Sequence, residues 1–294
     1  MALLIITTIL WAFSFSLIGE YLAGSVDSYF SVLMRVGLAA LVFLPFLRTR
    51  GQSPRTIVLY MLVGAMQLGI MYLLAFRAYL YLTVSEFLLF TVFTPLYITL
   101  IYDLLSGRKL RWGYLLSAAL AVLGAAIIRY DKVSDHFWTG LLLVQLSNLC
   151  FAIGMVGYKR LMEVRPMPQH NAFAWFYVGA FIVAVAAWFM LGNPQKLPTT
   201  TLQWSVLVWL GVVASGLGYF MWNYGATQVD AGTLGIMNNV HVPAGLLVNL
   251  AIWQEQPHWP SFISGALVIL ASLWVHRRWV APHSGQTAGD RRRG

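Results

Sequence analysis

Apolar residues do not alternate along this chain. They run in blocks of about twenty, separated by short polar stretches. Ten blocks stand out, at about 3–22, 29–47, 57–80, 83–103, 111–128, 137–158, 171–191, 203–222, 232–253 and 259–279. A helix needs roughly twenty residues to cross a bilayer, so each block predicts a membrane-spanning helix. A barrel would show ten-residue alternating segments instead. The breaks hold Gly51-Gln52-Ser53-Pro54, Ser106-Gly107, Pro166-Met167-Pro168 and Gly192-Asn193-Pro194, all residues that end helices. No interval accommodates a soluble domain. The first block starts at Met1 without a basic leader and ends at Glu20, so it reads as a span and not as a cleaved signal.

Composition agrees. The chain is 59% hydrophobic and 10% charged over 294 residues, against roughly 25% charged in soluble domains. A single cysteine, Cys150, excludes an intrachain disulfide and a thiolate metal site. The net charge of +9 at first suggests nucleic acid, but the basic residues are sorted by loop. With the N-terminus in the cytoplasm, fourteen lie on cytoplasmic loops and the tail, from Arg48, Arg50 and Arg55 to Arg291, Arg292 and Arg293. Three, Arg129, Lys132 and Lys196, lie outside. This bias predicts both termini inside and accounts for the charge without nucleic acid. The tail from Val280 is expected to be disordered, with its arginines against anionic lipid.

The halves echo each other. Ala78 to Pro95 matches Ala226 to Pro243 at an offset of 148. Ser117–Ala125 (SAALAVLGA) matches Ser264–Ser272 (SGALVILAS) at an offset of 147, with four identities in nine. Five spans per half is an odd number, so the second half is inverted, a transporter signature with a midplane site between the halves. The predicted fold is therefore an all-α membrane protein of ten transmembrane helices in two inverted five-helix repeats. Residues 1–132 form the first repeat, 133–280 the second, and 281–294 a basic cytoplasmic tail.

Arg35 in Leu33-Met34-Arg35-Val36-Gly37-Leu38-Ala39-Ala40-Leu41, proline in spans 4 and 9, and Trp253-Gln254-Glu255-Gln256-Pro257 carry a resemblance to the EamA-type branch of the drug/metabolite transporter superfamily. Four segments, Thr7–Ser16, Gly19–Phe30, Tyr158–Tyr177 and Met221–Gly245, resemble its biotin-importing inner-membrane members. The family's usual Gly-Glu between spans 4 and 5 is Gly107-Arg108 here, so no role passes to that glutamate. The resemblance implies a secondary transporter that takes up biotin by alternating access. An exporter of amino acids or related small metabolites is the alternative. No cofactor is implied, and the protein is expected to act as a monomer in the lipid bilayer.

Charged residues inside spans cost about 3 kcal/mol at the bilayer centre and mark functional sites or buried pairs. Arg35, Arg77 and Glu86 all fall in the outer third of the bilayer. Either the three form a self-neutralising lock, or one arginine grips a substrate carboxylate bidentately. Arg77 is favoured as that anchor because Arg35 matches a position where the family often has arginine. On span 9, Gly235, Asn238, His241, Gly245 and Asn249 form one helical stripe that faces the bundle. Asn238 and the adjacent Asn239 suit a ureido group or interhelical bonding. Glu86 and His241 are candidates for carrying a coupled proton or balancing charge. Trp11, Ser14, Tyr97, Trp175, Tyr219, Trp222 and Asn223 are candidates for an aromatic cavity wall with polar tips, or for plain packing. Thr94 and Tyr177 belong to the same group. Walker A, HExxH, CxxC and Gly-x-Ser-x-Gly motifs are absent, and the scattered histidines have no zinc spacing, so no enzyme is predicted.

Overall fold

The computed structural model describes residues 2–105, 135–229 and 231–254, together with scattered helical positions at 120, 123 and between 259 and 278. Side chains at 135, 231–233, 235, 236, 239 and 241–243 lie outside the description. Among the described residues the elements are helical: α1 (Ala2–Tyr21), α2 (Ser28–Phe43), α3 (Pro54–Ala78), α4 (Val84–Leu105), α5 (Asp135–Val164), α6 (Gln169–Leu191), α7 (Thr201–Thr227) and α8 (Ala231–Val248). Seven helices among the described residues are long and apolar enough to cross a membrane. The predicted spans at 3–22, 29–47, 57–80, 83–103, 137–158, 171–191, 203–222 and 232–253 coincide with these eight elements, the last including a terminal π-turn at Asn249–Trp253. The span at 111–128, the Gly107-Arg108 junction, most of 259–279 and the tail lie outside the described residues.

Local chemistry sets the helix starts. In lipid, unpaired N–H groups are costly, so the first turns carry side-chain caps. Asp27 accepts from Phe30 N at 2.8 Å to open α2. Ser53 caps α3 with Pro54 at its first position. Thr83 and Glu86 close a capping box on α4, and Thr200 and Gln203 close another on α7. α5 runs on to Val164, beyond the predicted end at 158, so Lys159 and Arg160 belong to a helix and not a loop. Lys159 is buried there, and its Nζ donates to the carbonyls of Ala226 (3.2 Å) and Val229 (2.9 Å). A cation at these carbonyls suits the negative end of α7.

α2 packs along α6 and against the middle of α7, while α3 packs along α6 and α5 and α4 lies between α5 and α8. Glycines set the closest crossings. A Cβ on Gly64 would lie 1.8 Å from the Phe176 carbonyl oxygen, and one on Gly179 would lie 1.9 Å from that of Met61. α3 and α6 therefore touch backbone to backbone, the small-residue packing membranes favour. Three long helices are not regular. π-turns interrupt α3 at Ala65–Ile70 and α7 at Leu210–Leu217, and a 3₁₀ turn interrupts α4 at Thr91–Phe93. These three irregular places shape the site.

Candidate functional site

A cavity lies among α1, α2, α3, α4, α5, α7 and α8. Its construction begins at the π-turn of α7. The wider turn loosens the regular ladder, and three of its carbonyls accept side-chain bonds. Trp11 Nε1 donates to Ala214 O at 2.9 Å. The Tyr177 hydroxyl donates to Ser215 O at 2.6 Å and to Gly216 O at 3.2 Å. The Ser215 hydroxyl then accepts from Arg35 Nε at 2.6 Å and lies 2.9 Å from the Tyr72 hydroxyl. Arg35 Cζ sits 4.2 Å from the centroid of the Tyr72 ring, a cation–π contact. Arg35 is 3% exposed and lines the cavity. It is the sole charged side chain in the lining among the described residues.

Aromatic rings form the walls. Trp11 lies 4.5 Å from Tyr219 and 6.3 Å from Phe151, and Tyr79 stacks on Phe87 at 4.3 Å. A neutral polar pole is made by α4, α5 and α8. Pro95 has no N–H to give the Thr91 carbonyl, which accepts instead from the Thr94 N–H in the 3₁₀ turn and from the Thr94 hydroxyl at 2.7 Å. The 3₁₀ turn presents Phe90 O to Asn148 Nδ2 at 2.9 Å. Asn148 Oδ1 has no hydrogen-bond partner among the described residues. Asn238 is 1% exposed, and its Nδ2 has no hydrogen-bond partner; nor does the buried Tyr79 hydroxyl. Both line the cavity. The site thus offers one cation, unpaired amide and hydroxyl groups, and apolar walls between. This arrangement suits a small anion with an apolar body and a polar head.

The structure brings Arg35, Trp11, Ser14, Thr94, Tyr219 and Asn238 together around this cavity. It places other candidates elsewhere. Arg77 is half-buried outside the lining, with Cζ 5.9 Å from the Tyr29 ring centroid. Tyr97 donates to Gln145 Oε1 at 3.1 Å, and Trp175 donates to Arg48 O at 3.2 Å near the start of α6. Trp222 is fully buried, with Nε1 on Met155 Sδ at 3.2 Å. Glu86 is buried in its capping box, its carboxylate accepting from Thr83 N at 2.9 Å. No ion pair between Glu86 and Arg35 or Arg77 is present among the described residues. The side chains of Asn239 and His241 lie outside the described residues. Tyr72, Tyr79, Asn148, Phe151 and Ser215 were not singled out from sequence. Tyr72, Ala75, Phe76 and Tyr79 do repeat at helical spacing on α3, and that stripe was the available signal for the tyrosines.

Asn223 has a different role. Its amide and that of Gln67 form a reciprocal pair at 2.9 and 3.0 Å, both fully buried, joining the π-turn of α3 to α7. Gln67→Ala should leave the Asn223 amide buried without its partner, costing about 1–3 kcal/mol. The loss is read as a lowered unfolding temperature in detergent. Gln67→Leu combined with Asn223→Leu should cost less than the sum of the single changes, since neither amide then remains unpaired; an additive double change counts against the pair.

Comparison with known proteins follows the same line. The family model described as the EamA-like transporter family matches residues 1–130 and again 138–277. The chain belongs to that family and is a multi-pass membrane protein. It is 83% identical to the "Biotin transporter" of Escherichia coli K12, over 100% of this chain and 98% of that one. It is 56% identical to the "Probable biotin transporter" of Pseudomonas aeruginosa, over 94% and 97% respectively. A solved crystal structure, 17% identical, superposes with a TM-score of 0.65 over 93% of this chain and 95% of its own, a likeness of fold alone.

Proposed function

We propose that this protein imports biotin across the bacterial inner membrane as a secondary transporter working by alternating access. The observation that carries the reading is Arg35, the sole charged side chain in the cavity lining among the described residues. Biotin's carboxylate binds its terminal nitrogens, and the apolar bicycle lies between Trp11, Phe151 and Tyr219. The ureido carbonyl accepts from Asn238 Nδ2, while a ureido N–H reaches Asn148 Oδ1. An amino acid fits less well, because the described lining holds no carboxylate for its ammonium group. The names of the relatives at 83% and 56% identity support the same substrate.

The architecture of this reading is ten spans in two inverted repeats, 1–132 and 133–280, acting as a monomer with both termini cytoplasmic. The double family match supports the two units. So do the π-turns, because 65–70 shifted by 147 falls within 210–217. Glu86 and His241 are the candidate carriers of a coupled proton.

The purified full chain in proteoliposomes should accumulate labelled biotin saturably, above empty liposomes. The neutral carboxamide of biotin should compete roughly tenfold or more weakly, having lost a charge-assisted bidentate contact. Absence of flux, or equal competition by the carboxamide or by free amino acids, would reject this assignment.

A further inference from the structure

The guanidinium of Arg35 is 3% exposed and meets only neutral groups among the described residues. From α3 it faces the Tyr72 and Phe76 rings, at 4.2 and 5.9 Å from their centroids. From α7 it faces the Ser215 hydroxyl. No carboxylate forms an ion pair with it, and its two terminal nitrogens have no hydrogen-bond partner among the described residues. A buried charge with no counter-charge is strongly unfavourable, and one aromatic face offsets only part of that cost. The other unpaired side-chain atoms of the site include donors: Asn238 Nδ2 and the Tyr79 hydroxyl. A buried cation whose own terminal N–H groups have no partner among the described residues is an anion site.

We infer that Arg35 holds a small monovalent inorganic anion, of the halide or nitrate class, when no substrate is bound, and that the substrate carboxylate enters by displacing it. The displacement half rests on the proposed biotin reading; the anion site does not. The exchange keeps the cavity close to neutral in both the loaded and the substrate-free carrier. It also makes the inorganic anion a direct competitor of the substrate.

Two measurements on the full chain in nanodiscs test this. In the first, the apparent Kd for biotin is followed at constant ionic strength while chloride replaces bulky isethionate. It should rise linearly with chloride, about threefold or more at physiological concentration, as competition at one site requires. Bromide and nitrate should act likewise. In the second, chloride-35 NMR line broadening is recorded without biotin. Broadening should be present in the wild type, reversed by biotin, retained in Arg35→Lys and in the exposed-charge control Arg50→Gln, and lost in Arg35→Gln. A biotin Kd indifferent to all three anions, with no broadening reversed by biotin, overturns the inference and leaves biotin transport standing. Broadening lost in Arg35→Gln from a protein that never binds biotin supports the anion site and removes the biotin reading. If Arg35→Gln does not fold, the wild-type titration and reversal by biotin decide the question.

Discussion

Arg35→Gln should lower the catalytic efficiency of biotin uptake by ~100-fold or more, while the protein still folds. The expected size follows from what is removed. Truncating one partner of a buried, hydrogen-bonded charge pair costs about 2–5 kcal/mol, or roughly 30- to 5,000-fold in binding. The Arg35 environment is of that kind, since the side chain is 3% exposed and its cavity is walled by aromatic rings. Arg35→Lys should fall between, because an ammonium keeps the charge but loses the planar stack on Tyr72 and the forked grip. Arg77→Ala should change uptake by no more than about threefold, because Arg77 lies outside the cavity lining. Labelled-biotin uptake by cells lacking other import, normalised to folded protein, measures all three. Full uptake in Arg35→Gln, or a collapse confined to Arg77→Ala, would move the anchor from Arg35 to Arg77.

That contrast marks where the sequence stops being legible. The eight described helices were readable because bilayer thickness dictates the length of a span, whatever the side chains do. Three members of the stripe beginning on α8 were also readable as bundle-facing: Asn238 and Asn249 are each 1% exposed, and a Cβ on Gly245 would lie 2.9 Å from Leu88, while positions 235 and 241 lie outside the described side chains. Which arginine enters the cavity was not readable. A π-turn adds a residue to the helix and rotates everything after it by about 100°. The one at 65–70 lies between the start of α3 and Arg77, so a regular wheel drawn from Pro54 misplaces that arginine. Arg35 is held by Ser215, 180 residues away, and no local pattern announces that partner. Trp175 and Trp222 illustrate a further limit. An aromatic residue in a span has the same local signature whether it lines a cavity, caps a carbonyl as Trp175 does, or packs on a sulfur as Trp222 does.

Gly64→Val should be the most damaging substitution for the fold, and Gly179→Val its equal. A Cβ at Gly64 would fall 1.8 Å from Phe176 O and one at Gly179 1.9 Å from Met61 O. Neither neighbour is a movable side-chain tip; both are carbonyls within regular helices. Relief requires α3 and α6 to separate along their length, which opens the packing of Gly69 on Ala180 and Val183 further along. The cost should exceed the ~1–3 kcal/mol usual for overpacking a core. It should appear as loss of monodisperse protein after solubilisation, not as a change in substrate affinity. Gly157→Ala is the matched control on α5. Its Cβ would meet only Val63 Cγ2, at 3.2 Å, a methyl that can turn away. It should leave yield and melting nearly unchanged. If Gly64→Val and Gly157→Ala behave alike, the α3–α6 backbone contact is not what holds these helices. Should Gly64→Val instead fold normally and fail only in transport, that crossing belongs to the moving parts of the cycle and not to the static frame around Arg35.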